Sequence, residues 1–367
     1  MNDKKKKPFL FAVIYGALLA GFTGYVMLDT FVIPKAEDTN AGEMNYSLFE
    51  NIEPQPLSPA ADSSTAQSDS SQADNTQHSG KSISEQNPGA SSKPGRSKRS
   101  KTQTSRNDLS SDSKAESTAA ADDASQTYES LSDENISITL NEYYENNTKI
   151  YVADVRLSSA QYLKTAFAND TYGKNVTAPT SETAAENNAV LAINGDYYGA
   201  REKGLVIRNG VLYRDNASAD TEILCIYADG HFEIINGGEK TGEELINEGV
   251  WQVFTFGPGL IEDGEITVSE SDEVGRAMAS NPRTAIGIID ELHYVFVVSD
   301  GRTSASEGLS LSELAAFMKS LGVQTAYNLD GGGSSTLYYQ GEVINNPTTT
   351  GRNTKERSVS DIVYIGY

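Results

Sequence analysis

Residues 281–300 read NPRTAIGIIDELHYVFVVSD. Two apolar runs, Ala285–Ile289 and His293–Ser299, flank the short polar turn Asp290-Glu291. That pattern predicts a β-hairpin, and therefore antiparallel pairing. Upstream, Ile150–Leu157, Ala189–Asn194, Gly204–Arg208, Glu222–Tyr227 and His231–Ile235 carry strand-like patterns. Downstream, Ser310 and Glu313 form a capping-box pair, and Leu311, Leu314, Ala315, Met318 and Leu321 follow at helical spacing before Gly322. Val323–Leu329 then leads into Asp330-Gly331-Gly332-Gly333, Thr336–Tyr339 leads out, and Ser360–Tyr364 is the last strand. The expected fold class is α+β: one domain of mixed, mainly antiparallel sheets with a few packed helices. A doubly wound parallel sheet is disfavoured.

That domain does not use the whole chain of 367 residues. From Glu50 through Thr127 there is no aromatic residue, and Ile52, Leu57, Ile83 and Leu109 are the only large aliphatics. Such a stretch buries too little apolar surface to offset the entropy of ordering it. At the other end of the polarity scale, Pro8–Leu28 is uncharged and mostly apolar, and Lys4–Lys7 precede it. A helix of about 20 residues spans a bilayer, and flanking positive charge stays on the cytoplasmic side. No small-x-small cleavage site follows, and no cysteine is placed to take a lipid. The expected organisation is a cytoplasmic tail at 1–7, a transmembrane signal anchor at 8–28, a disordered Ser/Asp/Thr-rich linker at 29–127 and an extracellular domain at 128–367. Within the linker, Lys93–Arg106 is basic and reads as a solvated segment.

The domain carries 16 Lys and Arg against 35 Asp and Glu, a net charge of −19. Nucleic acid is excluded as a partner on that ground. Cys225 is the single cysteine and sits in the apolar run ILCIY, so it reads as a buried hydrophobe and no intrachain disulfide forms. An exported domain without disulfides suits a bacterial surface protein. His78, His231 and His293 are the only histidines, and His78 lies in the linker. A Ser-His-Asp triad and a zinc site are therefore poorly supported.

Carboxylates and arginines remain. Four polar segments adjoin strands: Asn194-Gly195-Asp196-Tyr197-Tyr198, Asn281-Pro282-Arg283-Thr284, Ser299-Asp300-Gly301-Arg302 continuing to Ser306-Glu307-Gly308, and Asn328-Leu329-Asp330-Gly331-Gly332-Gly333-Ser334-Ser335. Each alone reads as a turn. Three consecutive glycines let backbone amides converge on an anion, Ser334 and Ser335 add hydroxyls, and Arg283 and Arg302 present planar forks that match phosphate. No GxxxxGK[ST] motif is present, so this is not a nucleotide P-loop.

With the terminal Arg357-Ser358-Val359-Ser360-Asp361, this ordered set resembles the phosphodiester glycosidase family over Ala189–Tyr367. The resemblance implies hydrolysis at the anomeric carbon of a sugar-1-phosphodiester or cell-surface glycopolymer. It implies Asp330 and Glu307 as paired carboxylates, with Asp196 and Asp300 in reserve. Arg283, Thr284, Arg302, Arg357 and the Gly331–Gly333 amides are expected to hold phosphate, and Asn194, Gly195, Ser334 and Ser335 the sugar. The family's first motif reads Asn-Gly-Gly-Phe-Phe, whereas here Asp196 and two tyrosines replace its last three residues. Asp196 then stands either as a catalytic group or as one that tunes substrate choice. No cofactor is expected, with calcium or magnesium left open. Two other readings stand beside this one. One is a non-catalytic wall-polymer binder. The other is a metal-dependent phosphodiesterase using Asp300, Asp330 and Asp361.

Overall fold

A computed structural model describes residues 6–37, 43–57, 128–269 and 280–367. The hairpin read from sequence is its centre. Arg283–Asp290 and His293–Ser299 pair antiparallel, with Arg283 opposite Ser299. They belong to an eight-stranded sheet in the order Glu265–Ile266, Gly259–Glu262, Thr325–Asn328, Arg283–Asp290, His293–Ser299, Thr148–Leu157, Ile136–Glu145, Leu131–Ser132. Every pairing within it is antiparallel.

Both faces of that sheet are covered, and the two-residue period of a strand sorts its side chains between two cores. Along His293–Ser299, Tyr294, Phe296 and Val298 enter the larger core, whereas Val295 and Val297 enter the smaller one. Along Thr148–Leu157, Tyr151, Ala153, Val155 and Leu157 go one way and Ile150 and Val152 the other. The smaller core lies under the helix Leu311–Ser320, whose Leu314, Ala315, Phe317 and Met318 are buried. Its capping box is present, with Ser310 Oγ accepting from the Glu313 amide and the Glu313 carboxylate accepting from Ser310 N–H.

Two five-stranded sheets complete the domain. One runs Glu342–Val343, Leu337–Tyr339, Leu191–Asn194, Asp361–Ile365, Leu163–Phe167. The other runs Phe232–Asn236, Glu222–Tyr227, Val250–Phe254, Gly204–Arg208, Val211–Asn216. They are stitched together by buried polar contacts: Trp251 Nε1 donates to Leu163 O at 2.7 Å, and Thr165 Oγ1 donates to Gln252 Oε1 at 3.1 Å. Cys225 is buried in the second of these sheets, where desolvation pushes its thiol up to about 12. His231 sits beside Asp229 at the surface and His293 against Asp154, away from the motif loops.

The N-terminal helix runs Lys6–Phe31, longer at both ends than the apolar run alone. At 1.5 Å per residue its 26 residues measure about 39 Å. Phe11, Leu18 and Phe22 are each exposed by two thirds or more. It is long and apolar enough to cross a bilayer.

The linker read over 29–127 differs from the structure in its first part. Lys35–Ala36 pairs antiparallel with Gly173–Lys174. Tyr46–Phe49 is a 3-10 turn whose Phe49 ring meets Trp251 edge-on at 4.9 Å. Gln55 N–H donates to Ser158 O at 2.7 Å. The physical reason is that Tyr46, Leu48 and Phe49 supply large apolar side chains, which the sequence from Glu50 to Thr127 largely lacks. Residues 58–127, including the basic stretch Lys93–Arg106, lie outside the described residues.

Candidate active site

Three strand ends from three sheets converge on the motif loops. Leu191–Asn194 delivers Asn194-Gly195-Asp196, Thr325–Asn328 delivers Asp330, and Gly204–Arg208 delivers Arg208. Asn194 is fully buried and fastens two of these sheets. Its Nδ2 donates to Asp330 O at 2.7 Å, and its Oδ1 accepts from Thr284 Oγ1 at 2.9 Å. Asn194 and Thr284 therefore position the Asp330 backbone, and the expectation that they hold sugar hydroxyls or phosphate is corrected: their polar atoms are spent inside the protein.

Asp196 is corrected in the same way. Its Oδ1 accepts from Arg208 Nη2 at 2.9 Å and from Tyr198 N–H, and its Oδ2 accepts from Thr255 N–H at 2.8 Å. Arg208 also donates through Nε to Asp361 Oδ2 at 2.9 Å and through Nη1 to Val253 O. All three charged side chains are 1 % exposed or less. Burial opposes the Arg208 charge, but the two carboxylates outweigh it and hold the guanidinium protonated. Burial raises the Asp361 carboxyl, and Asp196 beside it raises it further against the pull of Arg208. Gly195 is required here, because a Cβ would lie 2.2 Å from the Asp361 carboxylate. Sequence reading missed Arg208, although a cation closing the buried strand GLVIR signals a buried acidic partner.

Asp300 is likewise committed. Its Oδ1 accepts from Asn346 N–H at 2.8 Å and Asn345 Nδ2, and its Oδ2 from Asn346 Nδ2 at 3.0 Å, so it pins the loop after Glu342–Val343. Glu307 is exposed, and its backbone bonds to Asn147 and Arg302 shape its loop. It does not line the cavity described next, so the structure does not bring it into a pair with Asp330.

Asp330 does line that cavity, of about 470 Å³, together with Arg201, Arg283, Arg302 and Arg357, Asn281, Asn328, Phe256, Gly257, Pro258, Leu311, Gly331 and Gly332. Four arginines thus line one cavity with a single carboxylate, in a domain that is acidic overall. Asp330 Oδ2 accepts from Arg357 Nη2 and from Ser334 Oγ, each at 2.6 Å, and Arg357 Nε donates to Ser334 Oγ at 2.8 Å. Burial pushes the Asp330 carboxyl above its ordinary range, with the Arg357 charge, the Ser334 hydroxyl and Arg201 pulling it back.

The remaining expected residues divide. Arg283 is buried, donating through Nε to Leu309 O at 2.8 Å. Arg302 is exposed and holds Asn281 Oδ1 and Thr349 O. Gly332 N–H donates to Pro282 O at 2.8 Å, so the glycine run is not an open row of amides. Gly333 is packed against Thr349, Ser334 serves Asp330, and Ser335 is buried. Arg201, four residues past the first motif's Tyr197, was not expected. It donates to Thr255 O and stacks over the Phe256 ring at 4.9 Å. Asp300, Asp330 and Asp361 each sit with different partners, and no group of three or more His, Cys, Asp or Glu is placed to hold a metal among the described residues. A second cavity, of about 500 Å³, is lined by Glu43, Met44, Asn45, Leu212, Glu243 and neighbours and carries no cation.

The fold and site together define a class: antiparallel α+β domains with an arginine-lined cleft between strand ends. Residues 187–366 match the sequence model of the phosphodiester glycosidase family. The chain is 30 % identical over 189 residues to the SPbeta prophage-derived uncharacterized protein YomE of Bacillus subtilis, covering 50 % of this chain and 29 % of that one. It is 27 % identical over 187 residues to the mouse N-acetylglucosamine-1-phosphodiester alpha-N-acetylglucosaminidase, covering 47 % and 36 %. The chain thus spans about a third of the length of these curated relatives. The zebrafish catalytic domain of the same name, solved in a form auto-inhibited by its pro-peptide, superposes with a TM-score of 0.50 at 19 % identity, covering 63 % of this chain and 83 % of that one. At that identity the likeness concerns the fold.

Proposed function

We propose that this domain is an extracellular hydrolase, held at the membrane by the Lys6–Phe31 helix, that cleaves the C1–O bond of a sugar-1-phosphodiester. The observation that carries the reading is Asp330: one carboxylate, gripped on a single oxygen by Arg357 and Ser334, in a cavity that Arg201, Arg283 and Arg302 also line. A phosphodiester carries one negative charge, and planar guanidinium forks match its oxygens. As the C1–O bond breaks, charge builds on the departing phosphate, and pre-placed arginines stabilise it without reorganisation. Phosphate leaves readily, so no general acid need protonate it. Positive charge develops at C1 at the same time, and the Asp330 carboxylate stabilises it or directs water to it. Asn194, Thr284 and Ser334 position Asp330; Asp196, Asp361 and Arg208 position the loop that carries Asn194. The names of the mouse and zebrafish relatives make an N-acetylglucosamine-1-phosphodiester the first substrate to offer. A cell-surface glycopolymer with the same linkage is the second.

The test is hydrolysis by the full chain in water enriched in oxygen-18. Label recovered in the sugar establishes C–O cleavage. Label in the phosphate means P–O cleavage and refutes the glycosidase assignment. Tight binding without release of either product makes the domain a binder.

A further inference from the structure

We infer that the cavity at Asp330 opens through Arg357 into a groove walled by the end of the N-terminal helix, and that this groove receives the lipid part of a membrane-resident sugar-1-phosphodiester. The inference rests on the glycosidase and membrane-anchor readings above and adds the substrate's aglycone. Arg357 lines both the Asp330 cavity and a neighbouring cavity of about 330 Å³, whose walls include the apolar Phe31, Val32 and Val359 and the polar Asn175, Thr177 and Ser360. Phe31 and Val32 are exposed by 73 % and 60 %.

The helix end is fastened there by hydrogen bonds to its backbone. Asn175 Nδ2 donates to Thr30 O at 3.2 Å and Ile33 O at 3.3 Å. Lys35–Ala36 pairs with Gly173–Lys174, and Glu37 N–H donates to Tyr172 O at 3.0 Å. Gly173 is required at that crossing, since a Cβ would meet Lys35 O at 2.2 Å. Val32–Pro34, the stretch between helix and strand pair, reaches about 10–14 Å at full extension. The Gly173–Asn175 edge, and the groove beside it, therefore sit at the level where the helix leaves the bilayer. Lys35–Ala36 and Gln55 dock directly on the domain, so the helix end is held against it.

A phosphodiester has two ester oxygens. With its phosphate on Arg357 and its sugar C1 at Asp330, the second ester points away from the sugar. The groove is the space adjoining Arg357 that lies next to the membrane, and Phe31 and Val32 give it an apolar wall. The reaction balances as hydrolysis. The C1–O bond to phosphate breaks, water oxygen bonds to C1, one water proton stays on the sugar hydroxyl, and the other goes to the lipid phosphomonoester or solvent.

The test reconstitutes the full chain in phosphatidylcholine–phosphatidylglycerol vesicles and offers two N-acetylglucosamine-1-phosphodiesters, a hexadecyl ester held in the same vesicles and a soluble methyl ester. A variant with ten Gly/Ser residues inserted between Ile33 and Pro34 stays anchored but frees the helix end from the groove. The expected result is a kcat/KM roughly tenfold or more higher for the hexadecyl ester, the effect of burying about two methylene groups. The insertion is expected to abolish that preference and leave methyl ester turnover unchanged. If the insertion variant keeps the preference, sharing a vesicle explains it and the groove is overturned. Equal turnover of the two esters by the unmodified chain also overturns the groove while leaving the glycosidase reading intact. Hydrolysis of neither ester overturns both.

Discussion

Two arginine–carboxylate clusters stand close together in this domain. In one, Arg208 lies 2.9 Å from Asp196 and 2.8 Å from Asp361; in the other, Arg357 lies 2.6 Å from Asp330. The chemistry of the pairs is the same and the distances nearly so. Exposure separates them: at most 1 % for each member of the first, against 40 % for Arg357 and 12 % for Asp330. The sealed cluster cannot meet a substrate, and its charges satisfy one another at the meeting point of two sheets. The open cluster leaves a carboxylate facing a cavity. An arginine–carboxylate pair is thus a strut or a reagent according to the space around it, not its own geometry.

The largest effect is expected at the sealed cluster. Arg208→Met strands two buried carboxylates and should cost about 3–5 kcal/mol. That lowers the thermal midpoint by roughly 6–20 °C for a domain of this size, read by circular dichroism. Adding Asp196→Asn and Asp361→Asn to that variant should recover part of the loss. An unchanged midpoint in the single variant would dissolve the contrast between the clusters. Next in size, Asp330→Asn should lower turnover by about 10²–10⁴-fold while moving the midpoint little, because the amide keeps the shape and the Ser334 contact. Retained activity would remove Asp330 from the chemistry.

Arg357→Gln should have a smaller effect and a diagnostic one. Burial already raises the Asp330 carboxyl and Arg357 pulls it down. Deleting the cation lets the carboxyl rise further, so the acidic limb of the kcat/KM profile should move to higher pH. A loss of rate with an unmoved limb would mean that Arg357 serves the substrate alone. The smallest effect is expected at Glu307→Gln, whose exposed side chain lies outside the cavity. Its rate should stay within about twofold, less than 0.5 kcal/mol; a large fall would restore it as the second carboxylate.

The antiparallel plan was legible because alternation along a strand is a local property. Gly204–Arg208, Glu222–Tyr227 and His293–Ser299 run in the structure as they read in the chain. The helix Leu311–Ser320 was legible from its capping box and its apolar spacing. The motif loops were legible too, since their glycines and acids are unusual beside buried strands. The roles within those loops were not. Asp196, Asp300 and Asp330 look alike in sequence, yet Arg208, Asn346 and Arg357 decide what each does, and those partners lie 12, 46 and 27 positions away.

The docking of Lys35–Ala36 and Phe49 was also out of reach, because a two-residue strand and a single aromatic ring act only against surfaces formed far along the chain. The sequence by itself determined the apolar N-terminal helix, the antiparallel domain and the polar loops at its strand ends, since hydrophobic periodicity and turn chemistry act over a few residues. Tertiary structure alone decided which carboxylate meets the cavity and where the helix end sits, because burial and ion pairing depend on which distant groups the fold brings within about 3 Å.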